Sequence, residues 1–229
     1  MKNEKHFRHE QKYEIDLFSY QTLRMRLSAV MQKDPHALTD GRYQIHSLYF
    51  DNCCDKALRE KKDGVNRREK FRLRRYNDDR QNLFLEKKQK IGGLCLKTGC
   101  RILPQDCARL LAGDADWLPP QAHPLLQELD FRMKSQLLRP KALVSYLREP
   151  YVYPAGNVRV TFDMDLQSGL SGTEFLRPPL AAVSVMPAGR MILEVKYDGF
   201  LPSFIADALQ LGVVRTGAFS KYAACRAFL

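Results

Sequence analysis

Lys70, Arg72 and Arg74 alternate with Phe71 and Leu73 in the run Lys70-Phe71-Arg72-Leu73-Arg74-Arg75-Tyr76. In a β-strand successive side chains point to opposite faces, so three cations share one face and two apolar groups the other. Three cations in a row repel one another, and a polyanion such as a line of phosphates would relieve that repulsion. The same phase recurs. Arg8, Glu10 and Lys12 share a face, as do Glu86, Lys88 and Lys90, then Tyr146 and Arg148, then Arg159, Thr161 and Asp163, then Glu194 and Lys196. One basic strand face is usually a solvated one, and Glu194 beside Lys196 is by itself a weak surface ion pair. Six strands in one phase are harder to explain that way. If the sheet closes, these faces turn inward. So many buried cations then need water or anions around them. The few carboxylates among them would supply hard oxygen ligands for Mg²⁺ or Mn²⁺.

The elements that must position these residues follow from periodicity. Strands are expected at Phe7–Ile15, Tyr43–Asp51, Glu69–Tyr76, Leu83–Lys90, from Gly93 to near Pro104, Ala142–Arg148, Val158–Asp163 and Met191–Tyr197. Asp16 can cap a helix reaching about Met31, with Leu17, Tyr20, Leu23, Leu27 and Val30 at helical spacing. A short helix is expected over Cys53–Lys62. Helices at Gln105–Ala112 and His123–Leu138 form an insertion over about 104–138. Two more close the chain at Pro202–Leu211 and Ser220–Phe228, and the Pro, Gly and Ser-rich stretch Ser168–Gly189 reads as loose. About eight strands with few helices indicate a largely antiparallel α+β domain.

Composition sets the outer limits. At 229 residues the chain fits a single domain that buries roughly 70% of its unfolded surface without disulfides. Net charge is +11, and residues 56–101 hold sixteen Lys or Arg against six Asp or Glu. Nearly all the excess is therefore local, as an anion site requires. The six cysteines include no Cys-x-x-Cys pair, and no histidine stands at zinc spacing, which suits free thiols in a reducing compartment. There is no signal-peptide core and no apolar run of ~18 residues, so a cytoplasmic protein with no membrane segment is expected.

The ordered segments Arg8-His-Glu-Gln-Lys-Tyr, Ser47-Leu-Tyr-Phe-Asp, Lys70-Phe-Arg-Leu-Arg-Arg-Tyr, Leu85-Glu-Lys-Lys, Ser145-Tyr-Leu-Arg, Arg159-Val-Thr-Phe-Asp, Leu193-Glu-Val-Lys-Tyr and Phe219-Ser-Lys-Tyr resemble the VTC domain. This is the polyphosphate polymerase member of the triphosphate tunnel metalloenzyme, or CYTH-like, superfamily. The resemblance spans nearly the whole chain. It implies one α+β domain over residues 1–229, a closed eight-stranded antiparallel β-tunnel with helices packed outside. It further implies transfer of the ATP γ-phosphate to a growing inorganic polyphosphate, with Mn²⁺ or Mg²⁺ as cofactor.

Carried over by motif, Arg72, Arg74, Lys88, Arg148, Arg159 and Glu194 would be catalytic. Lys12, Lys70, Lys90, Tyr146, Lys196, Ser220 and Lys221 would bind phosphate, with Lys97 a looser match to the family's basic segment. Ser220 and Lys221 would act at a helix start, whose potential favours anions. Glu194 would hold the metal, with Glu10 and Glu86 as further ligands. Hydrolysis of tripolyphosphate or a nucleoside triphosphate on the same fold is an alternative, and so is a non-catalytic polyphosphate sensor. Nucleic acid is not an expected partner, because no reader motif is present and the basic rows lack an aromatic stacking platform.

Overall fold

The structure is a computed structural model that describes residues 7–114, 118, 121–169, 175–177, 182–211, 217 and 219–227. Its strands are β1 (His9–Asp16), β2 (Gln32–Lys33), β3 (Tyr43–Asp51), β4 (Arg68–Tyr76), β5 (Leu83–Ile91), β6 (Leu94–Ile102), β7 (Arg139–Tyr153), β8 (Val158–Gly169), β9 (Ala182–Ser184) and β10 (Arg190–Tyr197). Its helices are α1 (Leu17–Val30), α2 (Lys56–Lys62), α3 (Pro104–Ala112), α4 (Pro124–Ser135), α5 (Ser203–Ala208) and α6 (Lys221–Arg226). Eight strands form one curled antiparallel path in the order β1-β10-β8-β7-β3-β4-β5-β6, with β2 attached to β7 and β9 to β8.

The outward faces are apolar and carry the helices. Leu48, Phe50, Phe71, Leu73, Leu83, Leu85 and Ile102 pack under Cys107 and Leu110 of α3 and Leu125, Leu126, Leu129 and Met133 of α4. The expected insertion helices are therefore the cover of this half of the sheet. On the other half, Tyr151, Val160, Phe162, Leu193 and Val195 pack against Tyr20, Leu23 and Leu27 of α1 and Ile205 of α5. Asp16 caps α1 as its sequence suggests, accepting the Ser19 N–H at 2.8 Å. Fully buried Glu149 pins α1 to β7, accepting from the Tyr20 hydroxyl at 2.6 Å, Arg24 Nε at 3.0 Å, Lys33 Nζ at 2.6 Å and the Tyr151 hydroxyl at 2.9 Å. Burial would raise that carboxyl, but these hydrogen bonds win and hold it at about 2.

Three expectations are corrected. First, β7 does not stop at Arg148. It continues through Pro150, because its ladder with β3 ends at the Tyr43–Arg148 pair and the proline owes that neighbour no N–H. Second, the stretch read as loose holds the last residues of β8, and Gln167 to Gly169 pair with β9; residues 170–174 and 178–181 of it lie outside the described residues. Third, the ladder is open rather than a closed tunnel. Edge strands β1 and β6 meet through one bridge, Arg8 with Cys95, whose two backbone hydrogen bonds are each 2.9 Å. Beyond it a side-chain contact spans the seam, Lys88 Nζ of β5 donating to Glu10 of β1 at 2.5 and 2.8 Å.

Candidate functional site

The inner face of the curled sheet is built in layers set by strand register. Arg68 lies opposite Lys90, Lys70 opposite Lys88, and Arg72 opposite Glu86 on β4 and β5. Glu10 lies opposite Lys196, and Lys12 opposite Glu194, on β1 and β10. These layers enclose a cavity of about 170 Å³. Eleven Lys or Arg side chains line it against three glutamates, a balance that favours an anion over a cation or a neutral molecule. One of the three, Glu69, is engaged by Lys87 at 3.3 Å and Arg132 at 3.0 Å.

Glu10 and Glu194 organise the centre. Lys12 Nζ stands 3.2 Å from Glu10 and 3.5 Å from Glu194, while Lys196 Nζ stands 3.1 Å from Glu194 and 3.9 Å from Glu10. Arg148 binds Asp163 through two hydrogen bonds of 2.6 and 2.8 Å and reaches Glu194 at 3.1 Å. Burial opposes every one of these charges. The cations nonetheless pull Glu10 down to about 2 and Glu194 well below the carboxylate range. Glu194 and Glu10 in turn raise Lys12.

Among the described residues no three His, Cys, Asp or Glu side chains converge as a metal cage. Two carboxylates around shared cations do fit an ion such as Mg²⁺ or Mn²⁺, which is commonly held by one or two carboxylates and completed by phosphate oxygens and water. Glu10 and Glu194 would be the protein's ligands.

Of the residues singled out from sequence, Glu10, Lys12, Lys70, Arg72, Arg74, Lys88, Lys90, Tyr146, Arg148, Glu194, Lys196, Ser220 and Lys221 line this one cavity. Three do not. Arg159 turns to Asp34 and to the Tyr43 hydroxyl at 2.7 Å, at the end of the sheet where β3 begins. Glu86 is held by Arg72 at 2.7 Å, Lys97 at 3.0 Å and Arg74 at 3.5 Å, outside the cavity lining. Lys97 is spent on that contact, and more than half of its side chain is exposed. Lys221 does line the cavity, but its ammonium is held by Asp163 at 2.5 Å. The Ser220 hydroxyl accepts the Ala223 N–H at 3.3 Å as the cap of α6.

Sequence reasoning missed Tyr49, Tyr222, Lys61 and Arg68, which also line the cavity. Arg68 was within reach as the next step back along the Lys70-Arg72-Arg74 row. Tyr49 follows from the same alternation applied to Ser47-Leu48-Tyr49-Phe50. Lys61 lies on a helix with no strand phase to reveal it. Aromatic rings stand among the cations, the expected Tyr146 together with Tyr49 and Tyr222. Their faces are taken by cations, with Lys70 4.7 Å from the Tyr222 centroid and Lys221 and Arg148 at 4.9 and 5.3 Å from that of Tyr146.

The fold is thus a curled antiparallel sheet with a cation-lined interior. The family model described as the VTC domain matches residues 7–229, and the chain belongs to that family. Among solved structures, a Bacillus halodurans protein described as a candidate adenylate cyclase is similar at 14% identity and a TM-score of 0.50, covering 89% of this chain and 86% of that one. A Pyrococcus horikoshii OT3 protein is similar at 15% identity and a TM-score of 0.47, covering 94% and 96%. No curated protein matches the chain. At such identity the Bacillus likeness concerns the fold alone. No helix among the described residues is long and apolar enough to cross a membrane.

The site carries its own pH dependence. Burial, with Lys12 and Lys61 nearby, lowers Lys70 to about 8, and burial lowers Lys196 to about 8 as well. Tyr49, which burial alone would raise, is brought down to about 8 by Arg72 and Arg74. A bound polyanion favours charged lysines and a neutral phenol, so it raises all three values. Affinity for tripolyphosphate is then full below pH 8 and falls as pH rises above it, by up to roughly tenfold per unit for each group. Titration calorimetry at pH 7 and pH 9 tests this; equal affinities would rule it out.

Proposed function

We propose that this chain is a polyphosphate polymerase that moves the γ-phosphate of ATP onto the end of an inorganic polyphosphate. The observation that carries the reading is the cavity itself, with its large excess of Lys and Arg over glutamate. Membership of the VTC family supports it. In the step, an oxygen of the terminal phosphate of the acceptor attacks the γ-phosphorus. The bond from that phosphorus to the β,γ-bridging oxygen breaks, and ADP leaves.

Phosphoryl transfer asks mainly for positioning and charge stabilisation, so no protein nucleophile is required. Arg72, Arg74 and Arg148 present planar forks that suit non-bridging phosphate oxygens. Lys12, Lys70, Lys88 and Lys196 add compact positive charge along the line of phosphates. Glu10 and Glu194 would hold the Mn²⁺ or Mg²⁺, which supplies charge neutralisation at the phosphate oxygens. The tunnel wall would be completed across the β1–β6 seam by the Lys88–Glu10 contact. ATP and polyphosphate are then the partners, and the cytoplasm is where ATP would be met.

The test is incubation of the purified protein with ATP and Mn²⁺, with products resolved by length on a gel. A polyphosphate ladder is expected. Orthophosphate alone would make the protein a tunnel-fold hydrolase, and tight polyphosphate binding without turnover would make it a sensor.

A further inference from the structure

The two ends of the cavity differ in kind. Where β3 begins and β4 finishes, the interior is filled by Tyr43, Ile45, Tyr76, Val144 and Tyr146, packed against Cys225 and Ala224 of α6. Arg159 is tied to Asp34 and Tyr43 at that same end. Where β4 begins and β5 finishes, Arg68 and Lys90 face each other in register, and Lys61 of α2 lines the cavity beside them. Among the described residues no carboxylate pairs with Lys61, Arg68 or Lys90, whereas Lys12, Arg72, Lys88, Arg148 and Lys196 each have one within 3.5 Å, and Lys70 between them meets the Ser220 hydroxyl at 3.5 Å instead. The unpaired layer lies two residues, about 7 Å, beyond the layer of Lys70 and Lys88.

Unpaired, half-buried cations crowded at one mouth cost free energy unless an anion comes to them. A chain that outgrows the cavity can supply it: the opposite end is filled by apolar side chains, and this end is lined by free positive charge. We propose that the growing polyphosphate leaves through this mouth, gripped there by Lys61, Arg68 and Lys90 beyond the phosphates held inside. The mouth is then a subsite for long chains, separate from the groups that hold the reacting phosphates. This rests on the polyphosphate reading above.

The experiment compares binding of tripolyphosphate and of long-chain polyphosphate to wild type and to the Lys61→Ala/Arg68→Ala/Lys90→Ala variant, by calorimetry without turnover. Tripolyphosphate, held chiefly by the inner cations, is expected to lose several-fold less affinity than the long chain, and an unchanged far-ultraviolet circular dichroism spectrum reports an intact fold. Long-chain affinity should drop at least roughly tenfold, and the magnitude of its salt slope should fall by about 2, as loss of three charge contacts to a single strand implies. Unchanged binding of both ligands would overturn the exit path and leave the polymerase reading standing. Equal loss of both would overturn it too, by making these residues part of the inner site. A wild type that binds neither ligand would sink both the exit path and the reading it rests on.

Discussion

Replacing Arg74 by Ala is expected to lower turnover by about 100- to 1,000-fold, the usual loss when one preorganised charge-stabilising donor is removed. The melting temperature should move by no more than roughly 4 °C, the equivalent of about 1 kcal/mol in a chain of this size. The distances explain why activity and stability separate here. Arg74 is buried, but its contacts are long: 3.2 Å to the Ser47 hydroxyl, 3.3 Å to that of Tyr146 and 3.5 Å to Glu86. Removing it leaves Glu86 with Arg72 at 2.7 Å and Lys97 at 3.0 Å, so no buried carboxylate is stranded. Arg148 makes the opposite case. It holds Asp163 through two short bonds and also meets Glu194. Arg148→Ala leaves Asp163 to Lys221 alone, at 2.5 Å, and removes these charge-assisted hydrogen bonds, so it should cost about 1.5–3 kcal/mol as well as activity, a drop in melting temperature of roughly 5–10 °C. Arg74→Lys keeps the charge and loses the fork, so partial recovery is expected from it. Turnover of Arg74→Ala within threefold of wild type would remove Arg74 from the chemistry.

The strand faces were legible because a period of two is a local property. Lys70, Arg72 and Arg74 must share a side whatever the strand pairs with, and the sheet shows the same for Glu10 with Lys12 and for Glu194 with Lys196. Three things were not local. Which inward side chain finds which partner depends on contacts across the curl, so Arg159 and Glu86 carried the right phase yet were captured by Asp34 and by Arg72. The extent of β7 past Pro150 depends on where its neighbour β3 stops. Lys61 enters the site because the Asp51 carboxylate fixes the start of α2, accepting from Ala57 N at 2.9 Å and Leu58 N at 3.1 Å. The same carboxylate takes the Tyr222 hydroxyl at 2.6 Å, which seats α6 beside the cavity. Nothing in the spacing of Asp51, Lys61 and Tyr222 announces that junction.

Glu194→Gln should separate the two demands placed on the central carboxylates. In the free protein Glu194 neutralises Lys196, Lys12 and Arg148. With Gln, Lys12 keeps Glu10 at 3.2 Å and Arg148 keeps Asp163, so the fold retains its main pairs and only Lys196 is left with a distant partner. The cavity becomes one charge more positive. Metal-free tripolyphosphate should then bind more tightly, by about tenfold, a fraction of the ~4 kcal/mol between unit charges 4 Å apart at an effective dielectric of 20. Turnover with ATP and Mn²⁺ should fall about 1,000-fold. Retention of Mn²⁺ by the protein–tripolyphosphate complex, followed by the paramagnetic resonance signal of the free ion, should weaken in parallel. If Glu194 serves the lysines alone, the outcome changes: the variant melts earlier, binds tripolyphosphate more weakly and holds Mn²⁺ as well as wild type does. Tighter anion binding together with weaker metal retention is a pair of effects that loss of structure does not produce, and it would fix Glu194 as the residue through which the metal meets the phosphates.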